Sequence, residues 1–175
     1  AIRLNARSVD HLEAATKNDL LLLAKSRSIG VILPATGFQT DGRYTKAGFL
    51  VDAGGAVALA SNCNPGTAPT HSLPFVIALA VRFCGLTPAE AIAAATVNAA
   101  AVLGLTDRGT IAVGQRADLI LLCHKDERQL AYELGGNPVA SVIGGGGGGR
   151  RRAEGEAEHD EGVAVAAWQE HRLRR

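Results

Sequence analysis

Short apolar runs alternate with helix-period stretches along the first hundred residues. Residues 6–10 pattern as a strand ending at His11, and a helical repeat follows over residues 12–25. Thr16 and Asp19 have the spacing of a capping box, which puts the start of the regular helix there. Residues 29–33 form a β-rich run stopped by Pro34, residues 42–53 carry a weaker helical pattern, and residues 56–60 make another buried strand. Ser72 is placed to cap the next helix, with Pro74 near its first turn and Gly85 beyond its end. Arg82 is the only charge of that helix, so most of its surface must be covered. Thr87-Pro88-Ala89-Glu90 combines a capping box with proline at the first helical position. Ile92, Ala95, Ala99 and Val102 then recur on one face, and Gly104 ends the helix.

This cadence predicts an α/β fold of parallel βαβ units over residues 1–104. Polar residues fall at telling places. Asp10-His11 and Ser61-Asn62-Cys63-Asn64 each come directly after an apolar strand, and in a (β/α)8 barrel of the TIM type the C-terminal strand ends face the active site. With 175 residues the chain is shorter than the about 250 of a complete barrel, so part of one is expected. After Gly104 the pattern changes. Residues 109–113, 117–123 and 139–143 have the look of short strands, the first two separated by Gly114-Gln115-Arg116, and predict part of a small β domain over residues 105–143. Residues 144–175 hold a run of glycines, then Arg150, Arg151 and Arg152, then an acidic stretch. Ordering such a segment costs entropy with little apolar burial to offset it, so a disordered tail is expected.

Composition narrows the partners. Lys and Arg total 18 against 17 Asp and Glu, a net charge of +1, so charge gives no reason to expect a nucleic-acid or membrane partner. The acids interleaved in the tail weaken a reading of its arginines as a nucleic-acid arm. The three cysteines, Cys63, Cys84 and Cys123, lack CxxC spacing, which argues against a disulfide framework or thiolate zinc site and fits a reducing cytosol. No apolar run reaches the roughly 18 residues of a membrane span.

Among residues able to carry chemistry, His11 stands at a strand end. A histidine there is as often a hydrogen-bonded structural residue as one that ligates a metal or holds a water. In Ser61-Asn62-Cys63-Asn64-Pro65-Gly66-Thr67, Pro65 and Gly66 force a turn, Asn64 and Thr67 offer hydrogen-bonding groups, and Gly66 lets a ligand approach the backbone; an ordinary βα turn is the plainer alternative. His71 fits a lining position or a helix cap, Cys63 fits packing better than nucleophilic attack, and His124 fits a solvated position. His159 and His171 lie in the tail.

Gly109-Thr110-Ile111-Ala112-Val113-Gly114-Gln115-Arg116-Ala117-Asp118-Leu119 resembles the G-x-I-x-x-G-x-x-A-D-L element of cyclic amidohydrolases. A narrower likeness rests on Val9-Asp10-His11-Leu12, Val57-Ala58-Leu59-Ala60 running into Asn62-Cys63-Asn64-Pro65-Gly66-Thr67, and Ser72-Leu73-Pro74. Leu86-Thr87-Pro88-Ala89-Glu90-Ala91, Leu130-Ala131-Tyr132 and Asn137-Pro138-Val139 complete it. In this order they resemble the imidazolonepropionase family of metal-dependent hydrolases, over roughly residues 8–143.

The resemblance implies the C-terminal part of a (β/α)8 barrel plus part of a small β-sandwich domain. It implies hydrolysis of 4-imidazolone-5-propanoate, a small-molecule substrate, to N-formimidoyl-L-glutamate in the cytoplasm. His11 matches the family histidine that helps position and activate water, and Asn64, Gly66 and Thr67 match substrate-contacting positions. Asn62 stands where the family usually has an aspartate that binds one divalent metal, zinc or iron. An amide coordinates a cation weakly and cannot act as a base near neutral pH. The family's H-x-H pair and a further histidine with its glutamate have no match in the chain, so it is expected to be an incomplete piece that does not turn over by itself. Another cyclic amidohydrolase or a deaminase is the first alternative, and an inactive remnant the second. The open edges of a partial barrel also invite homodimerisation or aggregation.

Overall fold

The computed structural model describes residues 1–144 and, beyond them, the backbone of two short strands, Gly149–Arg152 and Ala164–Val165. A three-stranded parallel sheet anchors the N-terminal part: β1 (Ser8–Asp10), β2 (Ile29–Ile32) and β3 (Val57–Leu59), in that order. Asp10 pairs with Val31 and Ile32 with Leu59, so the three C-terminal ends share one edge. Val31, Ile32, Val57, Ala58 and Leu59 are all buried, as expected of parallel strands covered on both faces. Ile32, Val57 and Leu59 pack on the helical side. Val31, Leu33 and Ala58 form a second cluster on the opposite face with Ile29, Ala60 and Val102 around it, like the inner wall of a barrel.

Local signals in the sequence place most of the helices. α1 (Lys17–Ala24) begins at the Thr16–Asp19 capping box, so residues 12–15 stay outside it. Pro34 does more than stop β2, because it is also the first residue of α2 (Pro34–Gln39), a helix the hydrophobic pattern does not announce. Only Ala47–Asp52 of the expected 42–53 stretch is helical, as α3. α4 (Leu73–Phe83) is capped by Ser72, whose hydroxyl accepts from the Phe75 N–H, and buries Val76 through Ala80 without a gap. It packs against α2, against α5 (Pro88–Ala95) and against a short later helix, α7 (Gln129–Tyr132). Arg82 ties α4 to α7 by donating to the Tyr132 carbonyl at 2.8 Å and to that of Ala131.

The helix expected from Thr87 to Gly104 is two helices, α5 (Pro88–Ala95) and α6 (Val97–Leu103). They break at Thr96 (φ −122°, ψ −90°), whose hydroxyl bonds back to the Ile92 carbonyl at 2.7 Å instead of leaving the ladder undisturbed. The break turns the buried face onto Ala91, Ile92, Ala94 and Ala100, while Ala95, Ala99 and Val102 are only half-buried. Asn98 of α6 reaches across to the Val57 carbonyl of β3 at 2.8 Å.

Residues 109–113 do not form the expected strand. Ile111 and Val113 are exposed, and Gly109 (φ +94°) and Gly114 (φ +85°) bend the chain at either end. Ion pairs of Arg108 with Asp107 and Asp118, and of Arg116 with Asp118, hold the segment as a clasp, so no ladder is needed to fix it. β4 (Leu119–Leu122) and β5 (Val139–Gly144) pair antiparallel and match the other two expected strands. The described segments of the glycine-arginine tail, β6 (Gly149–Arg152) and β7 (Ala164–Val165), add to them in the order β6-β5-β4-β7. Disorder was expected for the whole tail; the rest of it lies outside the described residues. Leu122 of β4 and Leu130 and Ala131 of α7 bury into the same cluster as α4 and α5.

Candidate functional site

At the shared C-terminal edge of β1-β2-β3 the backbone is strained. Among the described residues four non-glycine residues have positive φ, and three sit here: His11 (72°) and Leu12 (74°) after β1, and Asn62 (53°) after β3. Each left-handed residue costs about 1–2 kcal/mol, and such conformations persist only where the surroundings enforce them. Here they do. The buried Thr45 hydroxyl donates to the His11 carbonyl at 2.8 Å, and the Asn62 side-chain amide donates to the Thr36 hydroxyl of α2 at 3.0 Å.

The turn after β3 is built by Asn64. Its Oδ1 accepts from the Gly66 N–H at 2.9 Å and the Thr67 N–H at 2.8 Å. Its Nδ2 donates to the Asn62 carbonyl at 2.6 Å and reaches the Thr67 hydroxyl at 3.0 Å. A bridge between Asn64 and Ala68 closes the loop. Both ends of the Asn64 amide are therefore committed to the turn, so this residue shapes the site through the backbone it folds. Gly66 is exposed and Thr67 half-buried, which leaves the turn accessible from solvent.

On the other side of the edge the His11 ring is 52% exposed and places Nδ1 3.3 Å from Oε1 of Glu13, which is 18% exposed. A hollow beside it is lined by Glu13, Leu33, Pro34, Tyr44, Thr45 and Cys84. Burial, with the Glu13 carboxylate nearby as a lesser cause, pushes the Cys84 thiol up to about 12, so it stays protonated and inert. Cys63, expected to pack, is instead exposed in the turn after β3, and Cys123 is exposed as well. A thiol reagent is thus expected to titrate two cysteines of the native chain promptly and the third only after unfolding. Three prompt thiols would contradict the packing around Cys84.

The structure brings His11 and the Asn62–Thr67 turn to the same sheet edge, separated by β2. Other sequence candidates stand apart. His71 is exposed just before α4, whose cap is Ser72, and His124 lies 3.6 Å from Glu133 beside the second sheet. His159 and His171 lie outside the described residues. Sequence reasoning missed Glu13, Thr36 and Thr45. Glu13 was visible as an acid two positions after the histidine; the two threonines come from other strand–helix units and left no local trace.

A hydrolytic metal takes about three protein ligands and leaves a position for water. Among the described residues no three His, Cys, Asp or Glu side chains are grouped to hold a metal ion. The donors at the edge are the His11 ring, the neutral Asn62 amide and the Glu13 carboxylate, which the His11 ring already engages, short of a three-ligand set. The residues of this chain do not by themselves fit a metal centre.

Parallel strands buried on both faces, with strained polar turns gathered at their C-terminal edge, match part of a (β/α)8 barrel. The chain belongs to the amidohydrolase family, whose model matches residues 21–147. It is 49% identical over 142 residues to an imidazolonepropionase of Deinococcus deserti, a match covering 81% of this chain and 36% of that protein. It is 48% identical over 145 residues to one of Herpetosiphon aurantiacus, covering 82% and 34%. The chain thus spans about a third of the length of these curated relatives. Among solved structures it resembles a zinc-bound adenosine deaminase of Xanthomonas campestris, with TM-score 0.66 and 22% identity, covering 78% of this chain and 35% of that one. The aminofutalosine deaminase of Helicobacter pylori matches with TM-score 0.67 and 18% identity, covering 83% and 39%. These two likenesses establish the fold.

Proposed function

We propose that the chain is part of an imidazolonepropionase-type hydrolase, which opens 4-imidazolone-5-propanoate at a ring C–N bond to give N-formimidoyl-L-glutamate in histidine degradation. The observation that carries this reading is the 49% identity over 142 residues to an imidazolonepropionase, a stretch that includes most of the described molecule. The deaminase likenesses, at 22% and 18% identity, do not weigh against it.

In this reading His11 accepts a proton from the attacking water. Gly66, exposed and without a side chain, lets the substrate approach the turn closely, Thr67 flanks it, and Asn64 holds the turn in shape by accepting from both backbone N–H groups. The family reading adds a divalent metal, zinc or iron, with Asn62 at the ligand position. The donors on this chain fall short of such a centre, and its own side chains contribute proton transfer and substrate contact. The same reading places the protein in the cytoplasm with a small-molecule substrate and keeps the division between a barrel part ending at residue 104 and a small β domain. Among the described residues no helix is long and apolar enough to cross a membrane. The outer edges of β1 and β3 carry no neighbouring strand among the described residues, which supports association with a second copy.

Asn62 favours one second reading, a chain that binds the substrate without turning it over, since a neutral amide replaces a group that could hold a cation or a proton. Incubating the protein that carries this chain with 4-imidazolone-5-propanoate and, separately, with adenosine tests the assignment. N-formimidoyl-L-glutamate from the first and no ammonia from the second is the expected result. Ammonia released from adenosine with no ring opening would overturn it, and binding of imidazolonepropanoate without product would select the second reading.

A further inference from the structure

We propose that Glu13 and Thr45 are positioning residues for His11, Glu13 fixing which ring nitrogen carries the proton and Thr45 fixing the backbone from which the ring projects. The proposal deepens the reading in which His11 handles the attacking water.

With half its surface in solvent, the His11 ring is not fixed by packing alone. Its orientation comes from the contact of Nδ1 with Glu13 Oε1 at 3.3 Å. A carboxylate only accepts, so in the neutral ring the hydrogen must sit on Nδ1, which leaves the lone pair on Nε2, pointed away from Glu13. That nitrogen is the one free to take a proton. Glu13 and Arg43 both line the hollow, and the Arg43 guanidinium is engaged by Asp41. The carboxylate of Glu13 thus remains available to the ring.

Thr45 acts on the main chain. It is 3% exposed and lies 34 residues away in sequence, yet its hydroxyl donates to the His11 carbonyl at 2.8 Å. His11 and Leu12 are consecutive left-handed residues, φ 72° and 74°, and neither is a glycine. A loop with no demand on side-chain direction would relax or use glycine here. Instead the buried hydroxyl would lose its partner if the His11 carbonyl swung away, so the strained pair is locked.

Long-range proton–nitrogen NMR of the 15N-labelled full chain tests this, with the His11 signals assigned by their loss in His11→Gln. In its neutral ring His11 is expected to show the Nδ1–H tautomer. Glu13→Ala should move it toward Nε2–H, the form an unconstrained imidazole prefers, and Glu13→Gln, which keeps an acceptor, should restore most of the Nδ1–H form. Thr45→Val should split or broaden the His11 ring signals while the amides of α4 and α5 stay in place, and Thr45→Ser should restore a single ring environment. Nε2–H in the unsubstituted chain, or ring signals indifferent to both Glu13→Ala and Thr45→Val, would overturn the proposal. If valine disrupts folding, Thr45→Ala, which removes the hydroxyl without adding bulk, takes its place with the same expected outcomes. None of these readouts needs turnover, so failure of the hydrolase assignment leaves them intact and is told apart by the substrate assay.

Discussion

Replacing Gly48 by alanine is expected to cost the chain about 3 kcal/mol of stability, at the upper end of what overpacking usually does. A methyl group on Gly48 would overlap the Gly85 carbonyl oxygen, which is backbone and has no rotamer to yield. The two segments are already joined, since the Gly48 N–H donates to the Cys84 carbonyl at 3.0 Å, and Gly85 itself holds a left-handed φ of +75°. On either side of Gly48, Ala47 and Leu50 are fully buried, so shifting α3 outward would expose them. Urea denaturation would read the loss as a lower midpoint at unchanged slope. A change below about 0.5 kcal/mol, as for an ordinary surface substitution, would show that α3 does not rest on the Gly85 turn.

In the full-length protein that carries this chain, Asn62→Asp is expected to strengthen binding of a divalent cation by at least about tenfold. Contacts one shell beyond a metal already change affinity about 10–100-fold, and this substitution adds a full negative charge at a strand end facing the site edge. The side chain keeps its anchor in the exchange, because the Thr36 hydroxyl that now accepts from the Asn62 amide can donate to a carboxylate instead. The backbone demand is also met, as aspartate tolerates a φ of 53° nearly as well as asparagine. Competition with a chromophoric zinc chelator measures the change. Equal affinities for the two forms would mean that position 62 takes no part in holding a cation, and the ligand role implied by the family would fail for this chain.

What was legible in the sequence was local. The capping boxes at Thr16 and Thr87 and the cap at Ser72 each rest on side chains three residues from their partners, and all three helices start where those residues say. The apolar runs of β2 and β3 were equally plain, because strands buried on both faces leave no polar alternation to mislead. Trouble came where one residue serves two neighbours. Pro34 ends a strand and opens a helix, and Thr96 interrupts a continuous apolar pattern with a bond to its own preceding turn. Residues 109–113 have strand-like composition, but a strand needs a partner, and ion pairs around Arg108 and Arg116 settle the segment otherwise.

The site followed the same rule. His11 and the Asn62–Thr67 turn were found because they follow strands directly. Thr36 and Thr45, the residues that hold them, contact them across 26 and 34 residues and could be recognised only once the sheet was in place. That Asn64 spends its amide on its own turn was also hidden, since asparagine in an Asn-Pro-Gly sequence suits ligand contact and turn building alike.

Titration of the labelled full chain with imidazole-4-propanoate, which keeps the ring and carboxylate of the proposed substrate but lacks the carbonyl to be attacked, bears most directly on the shared site. The His11 ring signals and the Gly66 and Thr67 amide signals are expected to shift together along a single saturation curve. Movement of one group without the other, or two curves with different midpoints, would contradict a common binding site at the edge of β1-β2-β3.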